Sequence, residues 1–233
     1  LISCSAAALP FVGGRLTLYG NPVNQMRVVA VMGTKDKILA GAQRVFNAEG
    51  FASSTALDIA NALSMSPGHL YYHFKGKAEI AVALLAGHEA EMAIILSAMP
   101  GAVAEAGDQA MATAQTYLHI LLEEMEDHRF LYREFTGLMR AHPVLAKGLT
   151  RIAQAQRSAL AESLGALLPS AHVAAAAEAM QLGLWALPGQ LELIAGEDDP
   201  RTRAANGAAR LMGLLQLLAG PTEGGRSGKK RKP

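Results

Sequence analysis

The sequence predicts an all-α fold, with a small three-helix unit near the N-terminus followed by a larger helical body. Three observations carry this reading. Hydrophobic residues make up 51% of the 233 positions but aromatic ones only 5%, and the balance is rich in Ala and Leu, both strong helix formers. No run alternates β-branched and polar side chains in the manner of a strand. From Lys35 onward apolar residues recur at helical spacing in segment after segment, punctuated by Gly and Pro. With only 18% charged residues the chain can bury a sizeable core, and its length admits one or two domains.

Residues 1–33 show no helical period and contain Pro10, Gly13, Gly14, Gly20, Pro22 and Gly33, so they read as a disordered N-terminal extension. Leu1 to Leu9 resembles the apolar part of a secretory leader but lacks the charged stretch that precedes one. The single cysteine, Cys4, excludes an internal disulfide and is compatible with a reducing cytoplasm, the expected location. No uncharged apolar run reaches the ~18 residues that span a bilayer. The nearest, Ala171 to Leu187, is interrupted by His172, Glu178 and Gln181 and reads as a buried Ala-rich helix. Five of the 21 basic residues fall in the last eight positions, which leaves 16 against 20 acidic ones, a net charge of −4. The body is mildly acidic, so any nucleic-acid contact must come from a local patch. Residues 220–233 read as a disordered basic tail, which could add salt-sensitive affinity for DNA or simply solubilise the chain.

Within 34–80 three helices follow one another closely. Ile38, Leu39, Ala42, Val45 and Phe46 form one apolar face, ended near Gly50. Thr55 with Asp58 three residues later reads as a capping box opening a second helix, Ala56 to Leu63. Ser66 caps the third, and Pro67 occupies its first position, where a missing N–H costs nothing. The turn between the last two is too short for an antiparallel hairpin. It suits a helix-turn-helix, whose later helix enters the DNA major groove.

The stretch SMSPGHLYYHFKGK, residues 64–77, supports that reading. Leu70 and Phe74 are four apart and can anchor the helix, while Tyr71, Tyr72 and His73 fall around the rest of the cylinder. A phenol or an imidazole N–H can bond a phosphate oxygen, and the rings can pack on sugars or a thymine methyl. Gly68 allows close approach of the backbone, and Lys75, Lys77 and the N–H groups at the next helix start suit phosphate.

Residues 35–80 resemble the N-terminal domain of TetR-family transcriptional regulators. The matching elements are the first-helix run closing on Glu49-Gly50-Phe51, then Ser54-Thr55, Ile59-Ala60, Ser66-x-Gly68, Leu70-Tyr71-x-His73-Phe74 and Lys77. The resemblance implies a homodimer that binds a roughly palindromic operator as a repressor. It also implies DNA contacts from Thr55, Ser66, Gly68, His69, Tyr71, Tyr72, His73 and Lys77, with His69 at a variable position that can reach base edges. Three residues depart from the family pattern: Leu57 where many members carry Arg, Ser64 where the turn usually has Gly, and Pro67, a poor reader of bases.

Residues 81–219 read as an effector-binding and dimerisation body. A fourth helix is expected from Lys77 to Met99, before Pro100-Gly101. Further helices are expected over about 108–127, 128–141, 144–168, 170–195 (kinked or cut short at Pro188) and 200–219. Tyr117, Leu121, Met125, Phe135, Met139, Met180, Leu184 and Trp185 are large, soft or aromatic and are the candidate lining for a small apolar effector. The last two helices are the candidate dimer interface. Ala174, Ala175, Ala177, Ala205, Ala208 and Ala209 allow close approach there, and Leu211, Leu215 and Leu218 supply apolar area.

Enzyme chemistry has no visible carrier, since the chain holds no GxSxG elbow, phosphate loop or GxGxxG, and no cofactor is implied. His88 with Glu91 and His119 with Glu123 have helical spacings a metal could use, but each pair lacks a third ligand, so no metal site is expected. Glu123, Glu124, Glu126 and Asp127 read as a solvated acidic face. Two alternatives to a ligand-responsive DNA-binding regulator remain. One is a nucleic-acid enzyme with a borrowed helix-turn-helix; the other is a helical interaction protein whose head no longer binds DNA.

Overall fold

A computed structural model describes residues 33–195 and 199–219, with side chains described over 33–188 and 199–217. The expected extension before residue 33 and the tail after 219 lie outside the described residues. Among the described residues there are ten α-helices and no strand, in two compact units that divide between Gly87 and His88.

The N-terminal unit is built from α1 (Thr34–Glu49), α2 (Ala56–Ala62), α3 (Pro67–His73) and the first turns of α4 (Lys77–Glu105). Helix α1 buries Ile38, Ala42, Val45 and Phe46, and the chain leaves it at Gly50, whose φ of 90° suits glycine. The Phe46 and Phe51 rings meet edge to face 5.3 Å apart. The capping box forms as expected: the Asp58 N–H donates to Thr55 Oγ1 at 3.2 Å and the Thr55 N–H to Asp58 Oδ2 at 2.8 Å. The turn after α2 places Ser64 at φ 51°, the left-handed conformation that the family's usual glycine would adopt without strain. A Cβ on Gly41 would come within 2.8 Å of the Leu63 side chain, so α1 and the end of α2 approach as closely as glycine permits. The apolar spacing of α2 allows either Leu57 or Ala56 to share its buried face with Ile59 and Ala60; Leu57 is exposed and Ala56 half-buried, and Ile59 and Ala60 are the fully buried pair.

In the body, α4 continues to Glu105 and does not stop at Met99. Pro100 lies inside the helix, and Val103 beyond it extends the buried stripe of Met92, Leu96 and Met99. By length and composition α4 could cross a bilayer. Its buried residues at three- and four-residue spacing, with Glu89 and Glu91 between them, describe a core helix. A single 3₁₀ turn, Gly107–Gln109, leads to α5 (Ala110–Asp127). The single helix expected over 128–141 is two, α6 (Arg129–Arg133) and α7 (Phe135–Ala141), with a turn at Glu134. Phe130, Leu131 and Tyr132 are all buried, and three consecutive residues cannot share one stripe of a regular helix. Pro143 opens α8 (Pro143–Gly165). Helix α9 (Ser170–Ala195) runs through Pro188 uncut, and α10 (Pro200–Ala219) packs on α5 and α9. A Cβ on Gly183 would lie 2.5 Å from Leu211 Cδ2, so α9 and α10 are in close contact at that point.

The expected acidic face is only partly solvated. Glu126 is buried and accepts from Arg203 Nε at 3.1 Å and Nη2 at 2.9 Å, which ties α5 to α10. The apolar stripe of α5 leaves no room for a free charge at that position, so the carboxylate is held by a guanidinium from 77 residues away.

Candidate nucleic-acid interface and a cavity in the body

Helix α3 is positioned by Leu70 and Phe74, both buried, and by its Ser66 cap, whose Oγ accepts from the His69 N–H at 3.3 Å. What remains of the helix faces outward. Tyr71 is 54% and Tyr72 83% exposed, and no described side chain bonds to either hydroxyl. His69 is exposed and His73 half-buried, with ring centroids 5.3 Å apart, while the Tyr72 ring meets His73 edge to face at 5.1 Å. A Cβ on Gly68 would meet nothing within 4 Å, so nothing inside the chain requires glycine there. The Ser66 hydroxyl keeps its proton available for donation.

Two of the eight expected contact residues are committed internally. The Lys77 ammonium donates to the carbonyls of Phe51 at 2.7 Å, Ala52 at 3.1 Å and Ser54 at 2.7 Å, and stands 4.7 Å from the centre of the Phe51 ring. Its three N–H donors are spent on the loop between α1 and α2. The Thr55 hydroxyl donates to Asp58 Oδ2 at 2.6 Å, so it has no proton to give a phosphate. These hydrogen bonds from Thr55 hold the Asp58 carboxyl below its usual range. The expected contact residues without such an internal commitment are Ser66, Gly68, His69, Tyr71, Tyr72 and His73, all on α3 or its cap.

In the body a cavity of about 860 Å³ opens between α6–α7, α8 and α9. Its wall is aromatic: the Trp185 ring meets Tyr132 at 5.4 Å and Phe135 at 4.9 Å, both edge to face. The indole is fixed from behind, since Trp185 Nε1 donates to the buried Gln156 Oε1 at 2.6 Å and Gln156 Nε2 donates to Met125 Sδ at 3.6 Å. Of the expected lining, Phe135, Met139 and Trp185 are present. Leu121, Met125, Met180 and Leu184 are buried core, and Tyr117 lies outside the lining. Sequence reasoning missed Tyr132, Leu149 and the polar members Arg157, Glu178 and Gln181. Nothing in their spacing separates them from the outward faces of α8 and α9.

Behind Tyr132 lies a polar cluster, with His88 buried and Glu124 and His128 half-buried, that the sequence reading also missed. Its hydroxyl is 2.6 Å from His88 Nε2, and His88 Nδ1 is 2.7 Å from Glu124 Oε1. His128 Nδ1 lies 3.3 Å from the same oxygen, and the two imidazoles are 4.3 Å apart. Burial pushes the His88 pKa down, so the ring is neutral at pH 7. Burial pushes Glu124 up, but hydrogen bonds from His128 and His88 outweigh it and hold the carboxyl at about 2. Burial also raises the Tyr132 phenol, which stays protonated. The i, i+4 pair Glu124 and His128 was the available signal, obscured because its third member, His88, lies 36 residues earlier.

Two family models match the chain. One, described as bacterial regulatory proteins of the tetR family, covers residues 38–84, and the other, described as a bacterial transcriptional repressor, covers residues 88–185. The chain belongs to the TetR family. This TetR-family regulator is 41% identical over 44 residues to a probable transcriptional regulator, YttP, of Bacillus subtilis, a match covering 19% of this chain and 21% of that one. It is 40% identical over 52 residues to the regulator TtgR of Pseudomonas putida, covering 22% and 25%. The matched segment thus spans about a quarter or less of either relative. Among solved structures, a TetR-family regulator from Marinobacter aquaeolei superimposes with a TM-score of 0.65 at 21% identity, covering 82% of this chain and 93% of that one. A TetR regulator from Legionella pneumophila gives 0.62 at 16%, covering 80% and 99%. The fatty acid degradation regulator FadR from Bacillus halodurans gives 0.55 at 16%, covering 79% and 97%. These likenesses establish the fold. Membership makes the chain a DNA-binding transcriptional regulator of the helix-turn-helix type and not an enzyme.

Proposed function

We propose that the protein is a cytoplasmic, homodimeric repressor that leaves a roughly palindromic operator when a small, mostly apolar effector fills the body cavity. The observation that carries this is the outward face of α3: two tyrosines with free hydroxyls on a helix whose other face is fully anchored. The open space over Gly68 fits a duplex backbone lying against it. Ser66, Tyr71, Tyr72 and His73 serve phosphates, and His69 reads base edges. Lys77 acts as a positioning residue, and the N–H groups at the start of α4 take over its phosphate contact. Thr55 likewise shapes the loop.

Helices α9 and α10 supply the dimer interface, through the part of the expected set that faces outward, Ala174, Ala175, Ala205 and Ala209, with leucines beside it. Leu211, Leu215, Ala177 and Ala208 are buried against their own subunit. The outward residues are Ala174, Ala175, Leu182, Ala205, Ala209, Leu214 and Leu217, the last 80% exposed. The Leu218 side chain lies outside the described residues. A two-fold dimer presents two recognition helices to half-sites about 34 Å apart. An effector releases them by binding another spacing more tightly. The aromatic wall of Tyr132, Phe135 and Trp185 favours an apolar body, and Arg157, Glu178 and Gln181 give it a polar end to recognise.

Fluorescence anisotropy with duplexes tiled across the protein's own upstream DNA, at several salt concentrations, tests the reading. One duplex with two inverted half-sites should bind, with affinity falling linearly in log salt. Tyr72→Ala should weaken it about tenfold or more, since a hydrogen bond to a charged group contributes about 1.5–3 kcal/mol. Its stability should stay within about 0.5 kcal/mol of wild type, as for other surface changes. A second reading, an interaction protein whose head has lost specific binding, draws on exposed Leu57 and Pro67. Absence of binding at low salt would favour it.

A further inference from the structure

We propose that His88, Glu124 and His128 form a binding site for a divalent transition-metal ion, with zinc the best fit. The three residues offer two imidazole nitrogens and a carboxylate oxygen, all within 4.8 Å of one another. Two histidines and a glutamate are a zinc ligand set of the kind that leaves a fourth position for water or an exogenous ligand. Imidazole and carboxylate together exclude a preference for soft Cu(I) and for the all-oxygen shells of Mg²⁺ and Ca²⁺.

The spacing fits. Donors about 2.0–2.2 Å from a tetrahedral zinc lie about 3.4 Å from each other. The contacts to Glu124 Oε1 are 2.7 Å from His88 Nδ1 and 3.3 Å from His128 Nδ1. The first must open, by well under 1 Å, the imidazole nitrogens lie within 4.8 Å of each other, and His128 Nδ1 must exchange its present partner, the Glu124 carbonyl oxygen at 3.2 Å, for the ion. Two of the ligands come from one helix end at i, i+4, and the third is held on α4, buried and rigid. No Lys or Arg among the described residues pairs with Glu124, whose partners are the two imidazoles alone. A cation is the partner this carboxylate lacks.

The outer contact is also in place. A metal-bound imidazole nearly always uses its other nitrogen to hold a fixed partner. Here His88 Nε2 faces the Tyr132 hydroxyl at 2.6 Å. A phenol can accept as well as donate, so it can receive Nε2–H and leave the Nδ1 lone pair for the ion. Tyr132 also lines the cavity, so the ion would sit one hydrogen bond behind the cavity wall.

The test uses the full-length protein, stripped with chelator, exposed to zinc chloride, desalted and assayed for metal by mass spectrometry. Wild type should retain a single zinc per chain. Glu124→Gln and His128→Ala should each abolish retention, and Tyr132→Phe should weaken it about 10- to 100-fold, as loss of such an outer contact does. Circular dichroism in chelator shows whether the variants remain folded. Should they not, imidazole NMR of wild type decides: zinc should shift the His88 and His128 signals and leave the other five of the seven histidines unmoved. Failure of wild type to retain zinc overturns the proposal. So does undiminished retention in both folded variants, or NMR shifts confined to other histidines.

Discussion

The two units of the molecule are stitched differently. In the head, residues 33–87, polar contacts mostly join neighbours: Thr55 with Asp58, Ser66 with His69, Lys75 with Glu79. The exception is Lys77, which reaches back 23 to 26 residues to backbone carbonyls. In the body several buried side-chain contacts reach farther across the chain. Arg203 meets Glu126 from 77 residues away, His88 meets Tyr132 from 44, and Trp185 meets Gln156 from 29. Short-range bonds shape individual turns and can be lost one at a time. Long-range buried bonds lock helices to one another, and losing one partner strands the other without water. The difference teaches where each unit is fragile.

The largest effect should come from the body. Arg203→Ala should cost about 3–5 kcal/mol in denaturant unfolding, because Glu126 is left charged and buried. The double change Arg203→Met with Glu126→Leu should recover most of that loss. Equal damage from single and double variants would mean that packing, and not the stranded charge, matters there. In the head the largest single cost away from the core aliphatics should be steric. Gly41→Ala forces a methyl into Leu63 and should cost about 1–3 kcal/mol, as overpacking does. A neutral Gly41→Ala would show that α2 can shift.

Local bonds should matter less. Thr55→Ala removes one cap and should cost about 1 kcal/mol. The same cap should give the head an acid-sensitive step. Asp58 titrates below its usual range in the fold, so its contribution is complete above the unfolded value of 3.8. It is lost as pH falls through the depressed folded value. Asp58→Asn should flatten that part of a stability-against-pH curve, and an unchanged slope would remove the cap as its source. The smallest effect is a gain. Ser64→Gly should relieve the left-handed residue and stabilise by up to about 1 kcal/mol; a loss would show that chain entropy outweighs the strain.

The same contrast explains what could be read from the sequence. Caps, the Gly50 exit, the Ser66-Pro67 start and the Leu70–Phe74 anchor depend on residues within one turn, so each was legible as it stands. Ser64 was marked by the family resemblance alone, as a turn position that usually holds Gly, and its φ of 51° supplies the physical reason. In the body the helices were legible but their interruptions were not. Pro100 and Pro188 sit inside helices because packing on neighbours outweighs one missing hydrogen bond, and the break at Glu134 follows from three consecutive buried residues. Leu121 and Met139 look alike in sequence. Only packing makes one of them core and the other cavity wall. The acidic cluster misled because burial of Glu126 is decided by Arg203 on another helix. The bonds of Lys77 were not legible either, because its partners are backbone carbonyls, which no residue identity announces.

The chain contains one tryptophan, and it stands in the cavity wall against Tyr132 and Phe135. The molecule therefore carries its own optical probe. Quenching or a spectral shift of that single indole would report entry of a small molecule directly, without a label and without DNA present. A library of compounds could be screened against the isolated protein by its emission alone, before a single operator is known.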